Sequence, residues 1–160
     1  MRPVFAGVIA VAILSAAIAA PAPAQDASKP AEPASAPELE PYRPGLSEIM
    51  ALQQMRHIKL WFAGNAANWL LADHEADALK DGFDDVKNLL GGDIVAQHVG
   101  APLAAIEKAI DAKDRSAFLA AFDKLNAGCN ACHGALGHGF IAIQRPTLLP
   151  YSDQSFAPQK

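Results

Sequence analysis

The sequence predicts an all-α fold, an antiparallel four-helix bundle, over residues 45–137. Apolar residues recur there at spacings of three and four, and no segment alternates with the period of two that a half-buried strand requires. The chain is also rich in Ala and Leu, whose side chains lose little conformational freedom in a helix. Glycine, asparagine and proline divide the periodic region into four segments, and their short joints favour antiparallel neighbours.

The first two helices carry broad apolar faces. The first is expected from Leu46 to about Ala63, with Met50 and His57 two turns apart on one face. Asn68 is of a type that caps helix N-termini and should begin the second helix, which Gly91-Gly92 should end. Acidic residues on the other faces of the second helix predict a solvated side rather than a special docking surface; they are Asp73, Glu75, Asp77, Asp81, Asp84 and Asp85.

The third and fourth helices follow a stretch, residues 93–100, that the pattern leaves unassigned. Ala101-Pro102 should begin the third helix, because the missing N–H of proline costs nothing in a first turn. Asp114 is the expected N-cap of the fourth helix. Along the fourth helix, one stripe at steps of three and four puts both cysteines on the face expected to be buried; its members are Phe118, Phe122, Leu125, Cys129, Cys132 and Leu136.

The N-terminal part of the chain has the features of an export signal. Arg2 precedes an uncharged apolar run, Val4–Ala20, and Ala22-Pro23-Ala24 supplies the small residues of a cleavage site. Residues 1–24 are therefore predicted to be a signal peptide, cut near Ala24, on a periplasmic protein. An uncleaved membrane anchor is the alternative. Residues 25–44 contain five prolines and are predicted to be a disordered, solvated linker.

The C-terminal extension, residues 138–160, is too apolar for a free tail. We expect it to pack back on the bundle, and presentation of a partner surface is the alternative. Its apolar residues are Phe140, Ile141, Ile143, Leu148, Leu149, Tyr151 and Phe156.

The chemically informative motif is the pentapeptide at residues 129–133, Cys-Asn-Ala-Cys-His, which matches the C-x-x-C-H signature of c-type haem attachment. Two thiols three residues apart on a helix can each bond one vinyl group of a porphyrin, and the next residue lies close to the iron. A thioredoxin-like pair would need a βαβ context, a mid-helix disulfide would be strained, and a zinc site would need more ligands. We therefore expect one covalent haem c, held by Cys129 and Cys132, with His133 as the proximal iron ligand.

The position of the motif narrows the comparison with known families. Only 27 residues follow His133, and none is Met. Over residues 45–137, with a C-terminal C-x-x-C-H motif on the last of four helices, the chain resembles the cytochrome c-prime family and its low-spin relatives. The resemblance implies an antiparallel bundle, a haem near one end, His133 as proximal ligand and a distal residue from the first helix. It also implies a homodimer, since family members often pair through their first two helices. The C-terminal extension departs from the family pattern.

The distal side of the iron has three possible arrangements. Met50 is favoured, because the start of the first helix lies beside the end of the fourth in an antiparallel pair; His57 is the second candidate, and no protein ligand is the third. Arg56 and Lys59 flank His57 and are expected either to pair with haem propionates or to lie at a solvated edge. The other histidines, expected at the surface or in joints, are His74, His98 and His138.

The expected function is one-electron transport in the periplasm, with redox proteins as partners and no enzymatic activity. The alternatives are a protein that binds nitric oxide or carbon monoxide at an open distal face, and a non-catalytic haem subunit of a larger oxidoreductase. The net charge of -4 argues against nucleic acid as a partner. Membrane contact is expected only if the N-terminal segment is retained.

Overall fold

The fold is described by a computed structural model over residues 41–158, which form four α-helices and no strand in that part of the chain. The helices are α1 (Leu46–Asn65), α2 (Trp69–Leu90), α3 (Ala101–Asp111) and α4 (Arg115–Ala135). The all-helical class and the four helices are thus as predicted. The predicted signal peptide and residues 25–40 of the predicted linker lie outside the described residues. Among the helices described, none is long and apolar enough to cross a membrane.

The helix ends follow from local chemistry. Asn68 Oδ1 accepts a hydrogen bond from the backbone N–H of Leu71 at 3.3 Å, and Asp114 Oδ1 accepts one from Ala117 at 3.0 Å. These caps satisfy N–H groups that have no partner within the helix. Gly91 ends α2 with a φ of 72°, a left-handed conformation that favours glycine. Helix α1 runs to Asn65, two residues beyond its predicted end.

A π-helical turn, Ala96–Gly100, occupies most of the stretch that the sequence pattern left unassigned and leads directly into α3. Val95 and Val99 are buried there. The turn packs closely on α4 at Gly128, where a Cβ would lie 2.3 Å from the backbone oxygen of His98. The absence of a side chain at Gly128 therefore permits this approach.

The core lies between the helices and is dominated by aromatic and aliphatic side chains. Phe118 and Phe122 of α4 are fully buried, and the Trp61 ring lies 4.9 Å from that of Phe122. Gly64 lets α1 approach Phe118, because a Cβ at this glycine would lie 2.1 Å from Phe118 Cζ. Other fully buried side chains are Leu60, Leu79, Ile106 and Leu125.

The acidic residues of α2 were all predicted to face solvent, and the structure corrects this prediction for one of them. Glu75 has a side chain only 5% exposed, and its Oε1 lies 3.7 Å from Lys59 Nζ on α1. Lys59 Nζ also lies 5.5 Å from the centroid of the Tyr151 ring. Helical periodicity identified this position as polar, but it did not show that a cation from α1 allows the carboxylate to be buried. The other five acidic residues are exposed.

The C-terminal segment contacts the helices at separate points. Phe156 is buried and packs edge-on against Phe62 with ring centroids 6.2 Å apart. Arg145 binds the carboxylate of Asp123 with two nitrogens, at 2.6 and 2.5 Å, and lies over the Trp61 ring. Four of the apolar side chains of this segment are exposed, and these are Phe140, Ile141, Leu148 and Leu149.

Candidate functional site

An apolar cavity of about 640 Å³ brings together all five predicted site residues. The cavity has the volume of a typical small-molecule or cofactor site, roughly 300–1,000 Å³. From α4 it is lined by Cys129, Cys132 and His133, and from α1 by Met50 and His57. The motif and the two distal candidates therefore face one space, although about 70 positions separate them in the chain.

The remaining walls are mostly aliphatic and come from residues outside the motif and the two distal candidates. Helix α2, the residues of the π-helical region and the C-terminal segment each contribute. These side chains include Leu79, Phe83, Val86, Val95, Val99, Leu125, Ile141 and Ile143. A cavity with such walls removes apolar ligand surface from water. His138, which was expected at the surface or in a joint, is exposed and also lines this cavity.

The two cysteines are free thiols, each half-buried. Burial raises the pKa of Cys129 to about 12, with the neighbouring Cys132 as a smaller cause. Burial also raises the pKa of Cys132. Both thiols are therefore protonated at neutral pH, whereas thiol–disulfide exchange requires a thiolate. This environment is unsuited to a reactive redox pair.

His133 has one ring nitrogen committed to the protein. Its Nδ1 lies 2.8 Å from the carbonyl oxygen of Ile141. Because a carbonyl oxygen only accepts hydrogen bonds, Nδ1 carries the hydrogen in this pair. In the neutral imidazole the lone pair is then on Nε2, which is the form of histidine that binds a metal through Nε2.

The two distal candidates differ in what their donor atoms contact. His57 Nε2 lies 2.5 Å from Asn126 Oδ1, and its ring lies 4.6 Å from that of Phe122. Burial lowers the pKa of His57, which keeps the imidazole neutral, and Nε2 donates its hydrogen to the Asn126 oxygen. That nitrogen is therefore not available to a metal. Met50 is half-buried and offers a thioether sulfur to the same cavity.

Arg56 and Lys59, the two cations that flank His57, both contact α2. Arg56 Nη1 donates to the backbone oxygen of Ala78 at 2.5 Å and to Gln53 Oε1 at 3.1 Å. Lys59 pairs with Glu75. These contacts join α1 to α2, and neither cation is among the residues that line the cavity.

Asn130 is a site residue that the sequence reasoning missed. Its Nδ2 donates to the backbone oxygen of Ile143 at 2.9 Å, and the backbone N–H of Ile143 donates to Asn130 Oδ1 at 2.7 Å. The C-x-x-C-H motif allows any residue at this position, so the motif did not indicate a role for Asn130. Only the path of the chain after α4 shows why an amide stands there.

Comparison of the chain with protein families, with curated proteins and with solved structures finds no match. Within the described residues, no group of three or more His, Cys, Asp or Glu side chains is arranged to hold a metal ion.

Proposed function

We propose that the protein is an exported one-electron carrier that holds a single haem c in this cavity, within an antiparallel four-helix bundle. One observation carries the proposal: two free thiols and a histidine with an available Nε2 line the same apolar cavity as a methionine. The haem would supply one-electron exchange between ferric and ferrous iron. The residues of the protein would bury it, fix its axial ligands and tune its potential.

The residues that line the cavity are of the chemical types that bind haem c. Cys129 and Cys132 would each add their S–H across one vinyl group, so that sulfur bonds one carbon and the hydrogen goes to the other. His133 Nε2 would bind the iron while Nδ1–H donates to the Ile141 carbonyl, the usual arrangement of metal-ligating histidines. The aliphatic walls suit an apolar macrocycle.

Met50 is the proposed sixth ligand. A soft thioether sulfur is a common axial ligand of haem iron in electron carriers. His57 is less favoured, because its Nε2 donates a hydrogen bond to Asn126 and only Nδ1 keeps a lone pair for a metal. In this proposal His57 is instead a neutral core residue that joins α1 to α4.

Covalent haem is the first test. The full chain, expressed in a bacterium that attaches c-type haem, should yield one haem per chain in a pyridine haemochrome assay of the periplasmic fraction. Cys129→Ser and Cys132→Ser should each leave one vinyl group free and shift the reduced absorption band to longer wavelength. Ala131→Ser is the matched control, because it alters the exposed residue between the thiols and keeps the motif. Absence of covalent haem from the unmodified protein would refute the proposal.

The sixth ligand is tested by a pair of methionine variants. Met50→Ala should remove the long-wavelength charge-transfer band of thioether-ligated ferric haem and speed carbon monoxide binding to the ferrous protein. Met55→Ala is the control, because Met55 is half-buried in the same helix and does not line the cavity. Rapid carbon monoxide binding and a high-spin ferric spectrum in the unmodified protein would instead indicate an open distal face and favour a gas-binding function.

A further inference from the structure

The chain reverses direction after α4 and returns along the cavity. Gly137 adopts a φ of 78°, which suits glycine, and the residues beyond it leave the helix. We call residues 138–145 the C-terminal strap. Ile141 and Ile143 of the strap line the cavity, so this segment forms one of its walls.

Beyond Ile141, two side-chain contacts hold the C-terminal strap on α4. At one, the amide of Asn130 forms two hydrogen bonds with the backbone of Ile143, at 2.9 and 2.7 Å. At the other, Arg145 binds Asp123, and both of these side chains are about half exposed. A solvent-exposed ion pair contributes little. The partly buried Asn130 pair is therefore the stronger determinant of where the strap lies.

The strap places a hydrogen-bond acceptor beside His133. The backbone oxygen of Ile141 lies 2.8 Å from His133 Nδ1. Ile141 is two residues from Ile143, and Asn130 is three residues from His133, so their side chains are neighbours on the helix surface. The turn before Ile141 is held by the backbone hydrogen bond from Ile141 N–H to the His138 oxygen, at 2.8 Å. Asn130 holds the chain after it, and thereby helps to set the position of the Ile141 carbonyl relative to the imidazole.

We propose that Asn130 is a positioning residue that sets the orientation and basicity of His133 through the C-terminal strap, an inference that rests on the proposed haem ligation. A hydrogen bond from the distant ring nitrogen to a carbonyl raises the basicity of a metal-ligating imidazole. A more basic ligand favours ferric over ferrous iron. Loss of the Asn130 contacts should weaken that hydrogen bond and raise the reduction potential.

The test compares haem-loaded Asn130→Ala with the unmodified full chain. By spectroelectrochemistry, the equilibrium between ferric and ferrous forms should shift about tenfold toward ferrous, a rise of about 59 mV for a one-electron couple. The His133 Nδ1–H signal in NMR spectra of the ferrous protein should exchange faster with solvent. Asn88→Ala, at an exposed asparagine of α2, should change neither. If Asn130 had only a structural role, its replacement would lower stability but change neither the reduction potential nor the exchange rate of His133 Nδ1–H.

A second variant disrupts the contact between Asn130 and Ile143 by a substitution in the strap. Ile143→Pro removes the N–H that donates to Asn130 and leaves the motif unaltered, so the potential should rise as in Asn130→Ala. Unchanged potential and N–H exchange in a haem-loaded variant would overturn the inference and leave the proposed function intact. Loss of haem from both variants would also overturn it, because a residue that only positions His133 leaves both thiols free to react. Absence of haem from the unmodified protein would overturn the proposed function itself.

Discussion

Gly128→Ala tests whether the π-helical turn depends on a missing side chain. The new Cβ would lie 2.3 Å from the backbone oxygen of His98, well inside the 3.0 Å that real contacts observe. The His98 oxygen belongs to the backbone and cannot rotate away as a side chain can. The π-helical turn must therefore shift as a whole to relieve the contact. Overpacking of this kind costs about 1–3 kcal/mol, and alanine in a helix returns about 0.5–1 kcal/mol relative to glycine. The midpoints of these two ranges differ by about 1 kcal/mol, which is the net loss that we expect.

Urea unfolding of the full chain, followed by circular dichroism, measures this loss as a change in the free energy of unfolding. Gly134→Ala is the matched control on the same helix, because a Cβ there would meet no atom within 4 Å. That variant should be as stable as the unmodified protein or slightly more stable. If Gly128→Ala matches Gly134→Ala, the close contact with His98 does not constrain the turn, and the reasoning fails.

Two further predictions concern the core. Because burial lowers the pKa of His57, the unfolded state binds its proton more readily, so stability should fall as the pH drops below about 6.5. His57→Gln should show a weaker fall in urea unfolding measured at several pH values; identical pH dependence would contradict the assignment of a neutral buried histidine. Phe118→Ala should cost about 3–5 kcal/mol in the same assay, because it empties a fully buried site. Leu148→Ala, at a side chain 82% exposed, should change stability by less than about 0.5 kcal/mol, and similar losses in the two variants would contradict the core assignment.

Local chemistry explains why much of the fold could be predicted. Asn68 and Asp114 cap their helices through backbone N–H groups three residues away, and Gly91 ends α2 through its own backbone conformation. These helix ends could be predicted because the capping residue and the backbone group that it satisfies are close in sequence. Glu75 shows the limit, since the burial of its carboxylate depends on Lys59 of another helix. The π-helical turn likewise depends on Gly128, a contact between distant parts of the chain.

The candidate site also contains some features that local sequence predicts and others that depend on contacts between distant residues. Cys129, Cys132 and His133 form a contiguous motif, and helical periodicity placed Met50 on a face toward the core. Whether Nε2 of His57 is free to bind a metal depended on Asn126, which contacts His57 across the core. The role of Asn130 depended on a turn after α4 and on backbone groups of the strap, which side-chain patterns do not describe.

The C-terminal strap has a consequence for biosynthesis. A ribosome makes the chain from its N-terminus, so both thiols and His133 exist before Ile141 and Ile143 do. Of the residues that line the cavity, those of the C-terminal strap are thus the last to be made. A chain truncated before Ile141 would keep the attachment motif but leave His133 Nδ1 to water. The hydrogen-bond acceptor of His133 Nδ1 is therefore made only after the C-x-x-C-H motif itself.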